Sequence, residues 1–127
     1  MKTILALAAP ALLAACVMVP APDSTPPAPA GSAVALGRSV AVGDLTVTPL
    51  AVVEDSRCPI NARCVWAGRL VVTTRIDGAG WRDRADMRLG ETFGTHGRVI
   101  ALVSGEPGRT TQRATRPEDY RFTYEVQ

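Results

Sequence analysis

From residue 34 onward apolar side chains recur at every second position, and Gly, Pro and Asp interrupt the chain before a long helical face can develop. Leu70, Val72, Thr74 and Ile76 alternate with Arg69, Val71, Thr73 and Arg75, the period of a strand with two distinct faces. Asp77-Gly78-Ala79-Gly80 then supplies turn chemistry, with glycines free to take positive φ. Trp81, Ala85, Met87 and Leu89 alternate with Arg82, Arg84, Asp86 and Arg88, and Asp83 is the one break in that apolar face. The pattern predicts a hairpin over 69–89.

The cleanest alternation is terminal: Tyr120, Phe122, Tyr124 and Val126 share one face, opposite Asp119, Arg121, Thr123 and Glu125. This strand is expected to close a sheet. Further strands are expected at Ser39 to Val42, at Leu45 to Val53 with a bend or edge position at Pro49, and at Val99 to Val103. Ser104 to Glu118, with Pro107, Gly108 and Pro117, reads as a long polar loop. Six or seven short strands with frequent turns place the domain in the all-β class, as a small β-sandwich of immunoglobulin-like type or a small barrel.

The first 33 residues follow a different pattern. Lys2, an apolar stretch from Ile4 to Leu13 and small residues ahead of Cys16 have the layout of a secretory signal. That stretch is too short to span a bilayer, which takes about 20 apolar residues. Leu13-Ala14-Ala15-Cys16 resembles the lipobox of bacterial lipoproteins. The resemblance implies removal of residues 1–15 and acylation of the Cys16 thiol. Val17, rather than Asp, follows Cys16, which by analogy with enteric-type lipoproteins implies outer-membrane attachment facing the periplasm. Each buried methylene contributes about 0.8 kcal/mol, so a multiply acylated Cys16 would hold the chain firmly. Residues 16–33 read as a tether: five of the ten prolines lie there, without hydrophobic periodicity. Extended at about 3.1 Å per residue, it would reach roughly 50 Å from the lipid surface. The extracytoplasmic domain is expected to occupy residues 34–127.

Charge excludes one class of partner. Lys2 is the only lysine, and it belongs to the signal segment; the rest of the chain sets 13 arginines against 12 acids and is close to neutral. The arginines are interleaved with acids, as in Arg82, Asp83, Arg84, Asp86 and Arg88, so no basic stripe for nucleic acid is present.

The most informative stretch is Asp55-Ser56-Arg57-Cys58-Pro59, then Ile60 to Arg63, then Cys64-Val65-Trp66-Ala67-Gly68. With Cys16 assigned to lipid, Cys58 and Cys64 form the one remaining pair, and a disulfide is expected in an oxidising compartment. A loop this short is worth roughly 2 kcal/mol by chain entropy. A redox pair would more typically be Cys-x-x-Cys at a helix start, and a metal site would need ligands beyond His96, so neither alternative has support. The signature resembles small bacterial secreted or lipoprotein domains of unknown function, over residues from about 36 to 126. That family offers no activity or catalytic residue to carry over, so the resemblance supports the fold. Trp66, two residues after Cys64, is expected to pack into the core beside the disulfide. The alternative is that Asp55, Arg57 and Trp66 present a binding patch, since aromatic and Arg side chains anchor interfaces. A third role is local: Asp55 and Arg57 hydrogen-bonding the loop backbone.

No cofactor fingerprint, phosphate-binding loop or nucleophile elbow occurs. His96 is the only histidine and sits in Gly94-Thr95-His96-Gly97, a turn sequence. A general base there needs a positioned nucleophile or carboxylate. Glu54 with Asp55 and Glu118 with Asp119 are adjacent in sequence, and neighbouring strand residues face opposite ways, which disfavours paired-carboxylate catalysis. The reading that follows is a non-enzymatic envelope lipoprotein whose domain binds a protein or other envelope component. The rivals are a periplasmic inhibitor of a lytic enzyme or protease, and a hydrolase using His96.

Overall fold

A computed structural model describes residues 25–127; the expected signal segment, Cys16 and the first part of the expected tether lie outside the described residues. The described chain is all-β, with seven strands: β1 (Val40–Val42), β2 (Leu45–Asp55), β3 (Leu70–Gly78), β4 (Trp81–Arg88), β5 (Thr92–Thr95), β6 (Arg98–Glu106) and β7 (Arg121–Val126). They form two antiparallel sheets, β1-β2-β3-β4 and β5-β6-β7. Neighbouring strands follow chain order in both sheets. The two-sheet architecture expected from the alternation is present, built from meanders rather than the Greek-key exchange of immunoglobulin domains.

The alternating faces meet between the sheets. Val40, Val47, Leu70, Val72, Ile76 and Met87 come from the first sheet, and Ile100, Leu102, Phe122 and Tyr124 from the second. Thr74, the one polar member of the inward face of β3, is fully buried there. Its hydroxyl shares a 2.9 Å hydrogen bond with Tyr124 Oη across the core, so neither buried polar atom goes unmatched. Burial holds the Tyr124 hydroxyl above its ordinary pKa.

Three local features explain how the strands differ from the expected ones. Pro49 lies on an interior strand, but β1 extends only as far as the Val40–Val47 pair, so the missing N–H at Pro49 deprives no neighbour of a ladder bond on that side. Register shifts next to Pro49 and at Val52 to Glu54 bend β2, and it continues to Asp55. β5 escaped sequence reasoning because Thr-Phe-Gly-Thr is short and has only one large apolar residue. The polar loop expected to begin at Ser104 starts later, since β6 runs to Glu106 and pairs there with Arg121; a 3-10 turn at Pro117–Asp119 then leads into β7.

Residues just ahead of β1 also contact the sheets. Ala28 bridges Val40, and Val34 exchanges two 2.9 Å backbone bonds with Phe122.

Candidate functional site

The signature stretch forms the 56–69 connection between β2 and β3, closed like a purse at its mouth. Ser56 N donates to Arg69 O at 2.8 Å, Arg69 N donates to Ser56 Oγ at 3.0 Å, and Cys58 N donates to Ala67 O at 3.3 Å. The Cys58–Cys64 disulfide staples the connection one step further out, with the two Cα atoms 5.8 Å apart. Gly68 has φ +64, and a Cβ there would run into the Ser56 carbonyl, so the last residue of the Cys-x-Trp-Ala-Gly pattern is set by the closeness of the two legs of the loop.

Below the staple lies a polar cluster. Arg57 grips Asp55 with two parallel bonds, Nε to Oδ1 at 2.8 Å and Nη2 to Oδ2 at 2.9 Å. The same guanidinium donates to Gly105 O at 2.6 Å and Pro107 O at 3.0 Å, tying the loop to the end of β6. Tyr120 Oη completes the cluster by donating to Asp55 Oδ2 at 2.7 Å. Both ionic side chains are largely covered, with 16% of Arg57 and 8% of Asp55 exposed. Burial pushes the Asp55 carboxyl upward, but the Arg57 and Tyr120 hydrogen bonds and the Arg57 charge outweigh it and hold the pKa below the usual carboxylate value. Burial and the same carboxylate push the Tyr120 hydroxyl up to about 12. Glu54, one residue away, turns outward to pair with Arg69.

The three residues grouped by sequence as one patch therefore divide. Asp55 and Arg57 face inward and bond each other, Asp55 also accepts from Tyr120, and the Arg57 guanidinium reaches the Gly105 and Pro107 carbonyls rather than the backbone of its own loop. Trp66, by contrast, is 84% exposed. The expectation that Trp66 packs into the core beside the disulfide is overturned. The staple lies outside the sandwich, and no second layer covers it, so residues beyond the loop mouth have no core to enter. Val65 at 90% and Ile60 at 77% are exposed as well, so the stapled connection carries three exposed large apolar side chains. Sequence reasoning missed Ile60 and Val65. The available signal was apolar residues in and directly after a cysteine loop, without strand period.

The 107–116 segment lies along one flank of the loop. Ile60 N donates to Arg109 O at 2.8 Å, Arg109 Nη1 donates to Arg57 O at 2.6 Å, and Asn61 exchanges bonds of 2.7 and 3.1 Å with Thr111. Between this segment and the base of the loop opens a cavity of about 550 Å³, lined by residues that include Asp55, Arg109, Thr111, Arg113 and Tyr120. Arg109, Arg113 and Tyr120 could not be assigned to a site from sequence, because each lies some 50 residues or more from Asp55 along the chain.

His96 occupies the tight β5–β6 turn with φ +48, a conformation such a turn demands of its central residues. Its ring is stacked on Trp81 with centroids 3.8 Å apart. Thr95 Oγ1 donates its only proton to Asp83 Oδ2 at 2.7 Å, so the 2.8 Å contact with His96 Nδ1 is one in which the imidazole donates. The threonine proton thus points away from the histidine, the reverse of what a nucleophile with its general base requires. Glu118 and Asp119 both pair with Arg116 in the 3-10 turn. Among the described residues, no group of three or more His, Cys, Asp or Glu side chains is placed to hold a metal ion.

No family model matches this chain, and neither the curated proteins nor the solved structures compared with it include a match.

Proposed function

We propose that this protein is a lipid-anchored envelope lipoprotein, attached through Cys16, whose β-sandwich is a non-enzymatic binding module that engages a protein partner through the stapled loop. The observation that carries this reading is the exposure of Ile60, Val65 and Trp66 on one short stapled connection, Ile60 inside the Cys58–Cys64 ring and Val65 and Trp66 directly after it. Exposed apolar side chains scattered singly are ordinary, whereas three on one short connection, Trp among them, have the composition of an interface anchor. The staple and the mouth hydrogen bonds hold the tip before binding, so little conformational entropy is lost when a partner closes over it. Residues 56–69 carry Arg57, Arg63 and Arg69 and no acid. Because Arg57 and Arg69 are paired with Asp55 and Glu54, Arg63 is the exposed cation beside the tip. The complementary partner surface is an apolar recess bordered by carboxylates.

The same projecting, preorganised loop supports a second reading, an inhibitor that inserts the tip into the cleft of a lytic enzyme or protease. One experiment serves both. Trp66→Ala is expected to weaken partner capture from envelope extract about thirtyfold or more, the scale of a hot-spot aromatic, while the melting temperature stays within about a degree of wild type because the indole contacts little of the fold. The identity of the captured protein, a structural component or a lytic enzyme, decides between the two readings. Undiminished capture by Trp66→Ala would refute both. Cys16→Ser is expected to move the chain out of the membrane fraction, and an acyl-free Cys16 in the intact mass of wild-type protein would exclude the lipid anchor.

A further inference from the structure

The cavity between the 107–116 segment and the base of the stapled loop has a charge balance that the loop tip does not explain. Asp55 is the only acid in its lining, and that carboxylate is already taken by Arg57 and Tyr120. Arg109 and Arg113 face no carboxylate of their own: Arg109 uses one N–H on the Arg57 carbonyl, and Arg113 has no partner among the described residues. Two guanidiniums with unspent donors therefore border a recess of about 550 Å³, within the range of small-molecule pockets. Threonine hydroxyls at 110, 111 and 115 add further hydrogen-bonding groups; Thr111 Oγ1 already accepts from Asn61 and Thr115 is already bonded to Tyr120, so each of those two has only part of its capacity left for a ligand. The walls are fixed before any ligand arrives, because Ile60 N holds Arg109 O and Asn61 holds Thr111 from the stapled loop.

We infer that this cavity binds a small anionic ligand, a carboxylate or phosphate carried on a hydroxylated, sugar-like frame, with Arg113 and Arg109 taking the oxyanion and the threonine hydroxyls taking the frame. A planar guanidinium matches both oxyanions with paired hydrogen bonds, which is why the two chemistries share one site. Trp66 is not part of the lining, so the site stands whether or not the loop tip binds a protein.

The test is calorimetric titration of the full chain with glucuronate, glucose 6-phosphate and glucose. Saturable binding of at least one of the two anions, with glucose about tenfold weaker or worse, is expected, and the tighter anion identifies the preferred oxyanion. Arg113→Ala should weaken that binding about tenfold or more, the loss of a charge-assisted contact, with Arg113→Lys in between because it keeps the charge and loses the fork. Arg113 is exposed, so both variants should melt like wild type. Trp66→Ala should bind the anion as wild type does, which separates failure of this site from failure of the loop tip. Absence of saturable binding by both anions, equal binding of glucose, or wild-type affinity in Arg113→Ala would each overturn the assignment.

Discussion

Arg57→Ala is expected to destabilise the protein by about 3 kcal/mol and to lower its melting temperature by roughly 15 °C, the range for removing one partner of a covered ion pair in a domain of about this size. The truncation removes both bonds to Asp55 and both bonds to the end of β6, and it leaves Asp55, only 8% exposed, without its counter-ion. A surface arginine with no such partners would change stability by no more than about 0.5 kcal/mol. The pH dependence carries an independent check. The folded state holds the Asp55 pKa below 3.8, so the pair stabilises the fold above that value, and the contribution is lost as pH falls through the depressed pKa. The difference between wild type and Arg57→Ala should therefore be largest near neutral pH and shrink below about pH 3.8, as followed by urea unfolding at a series of pH values. A difference that stays constant on acidification would show that the guanidinium acts through its bonds to the Gly105 and Pro107 carbonyls and through packing, not through the Asp55 charge.

Gly68→Ala is expected to cost about 3 kcal/mol or more, with Gly80→Ala as its control. Both glycines have positive φ, +64 and +76, so both substitutions incur the left-handed penalty of about 1–2 kcal/mol. Around Gly80 a new Cβ meets nothing within 4 Å, whereas at Gly68 it meets the carbonyl of Ser56. That carbonyl belongs to backbone held by the Ser56 N to Arg69 O bond and by the Ser56 hydroxyl, so it cannot retreat without opening the loop mouth. The Gly68 variant should consequently melt well below the Gly80 variant. It should also lose partner capture, since an opened mouth no longer holds Ile60, Val65 and Trp66 in place. Equal melting of the two variants would mean that the legs of the loop separate easily and that the staple alone shapes the tip.

The two large effects fall at residues whose importance is tertiary. Arg57 and Gly68 belong to the sequence signature, but the signature does not reveal that one faces inward or that the other touches Ser56. The alternation of apolar and polar side chains did determine the fold class and most of the strands. Leu70, Val72, Thr74 and Ile76 could be placed on one buried face from spacing alone, as could Tyr120, Phe122 and Tyr124, because a strand has a strict period of two and a one-residue error would turn its apolar face to water. The Cys58–Cys64 bond was legible for a related reason: once Cys16 is set aside for lipid, one pair is left.

Local pattern carries no information on what lies above a side chain. Trp66 reads as a core residue because indoles are usually covered, yet its position beyond the loop mouth leaves nothing to cover it. Arg57 reads as a patch residue or as one bonding its own loop, yet β6 brings the Gly105 and Pro107 carbonyls onto it from about 50 residues away. Tyr120 reads as one more inward aromatic, and its hydroxyl reaches Asp55 across 65 residues. The cavity bordered by Arg109 and Arg113 exists only because the 107–116 segment folds back along the stapled loop. Periodicity is a property of neighbours along the chain and survives in the sequence; the partners of a side chain outside that period are set by contacts between distant segments, which only the folded structure brings together.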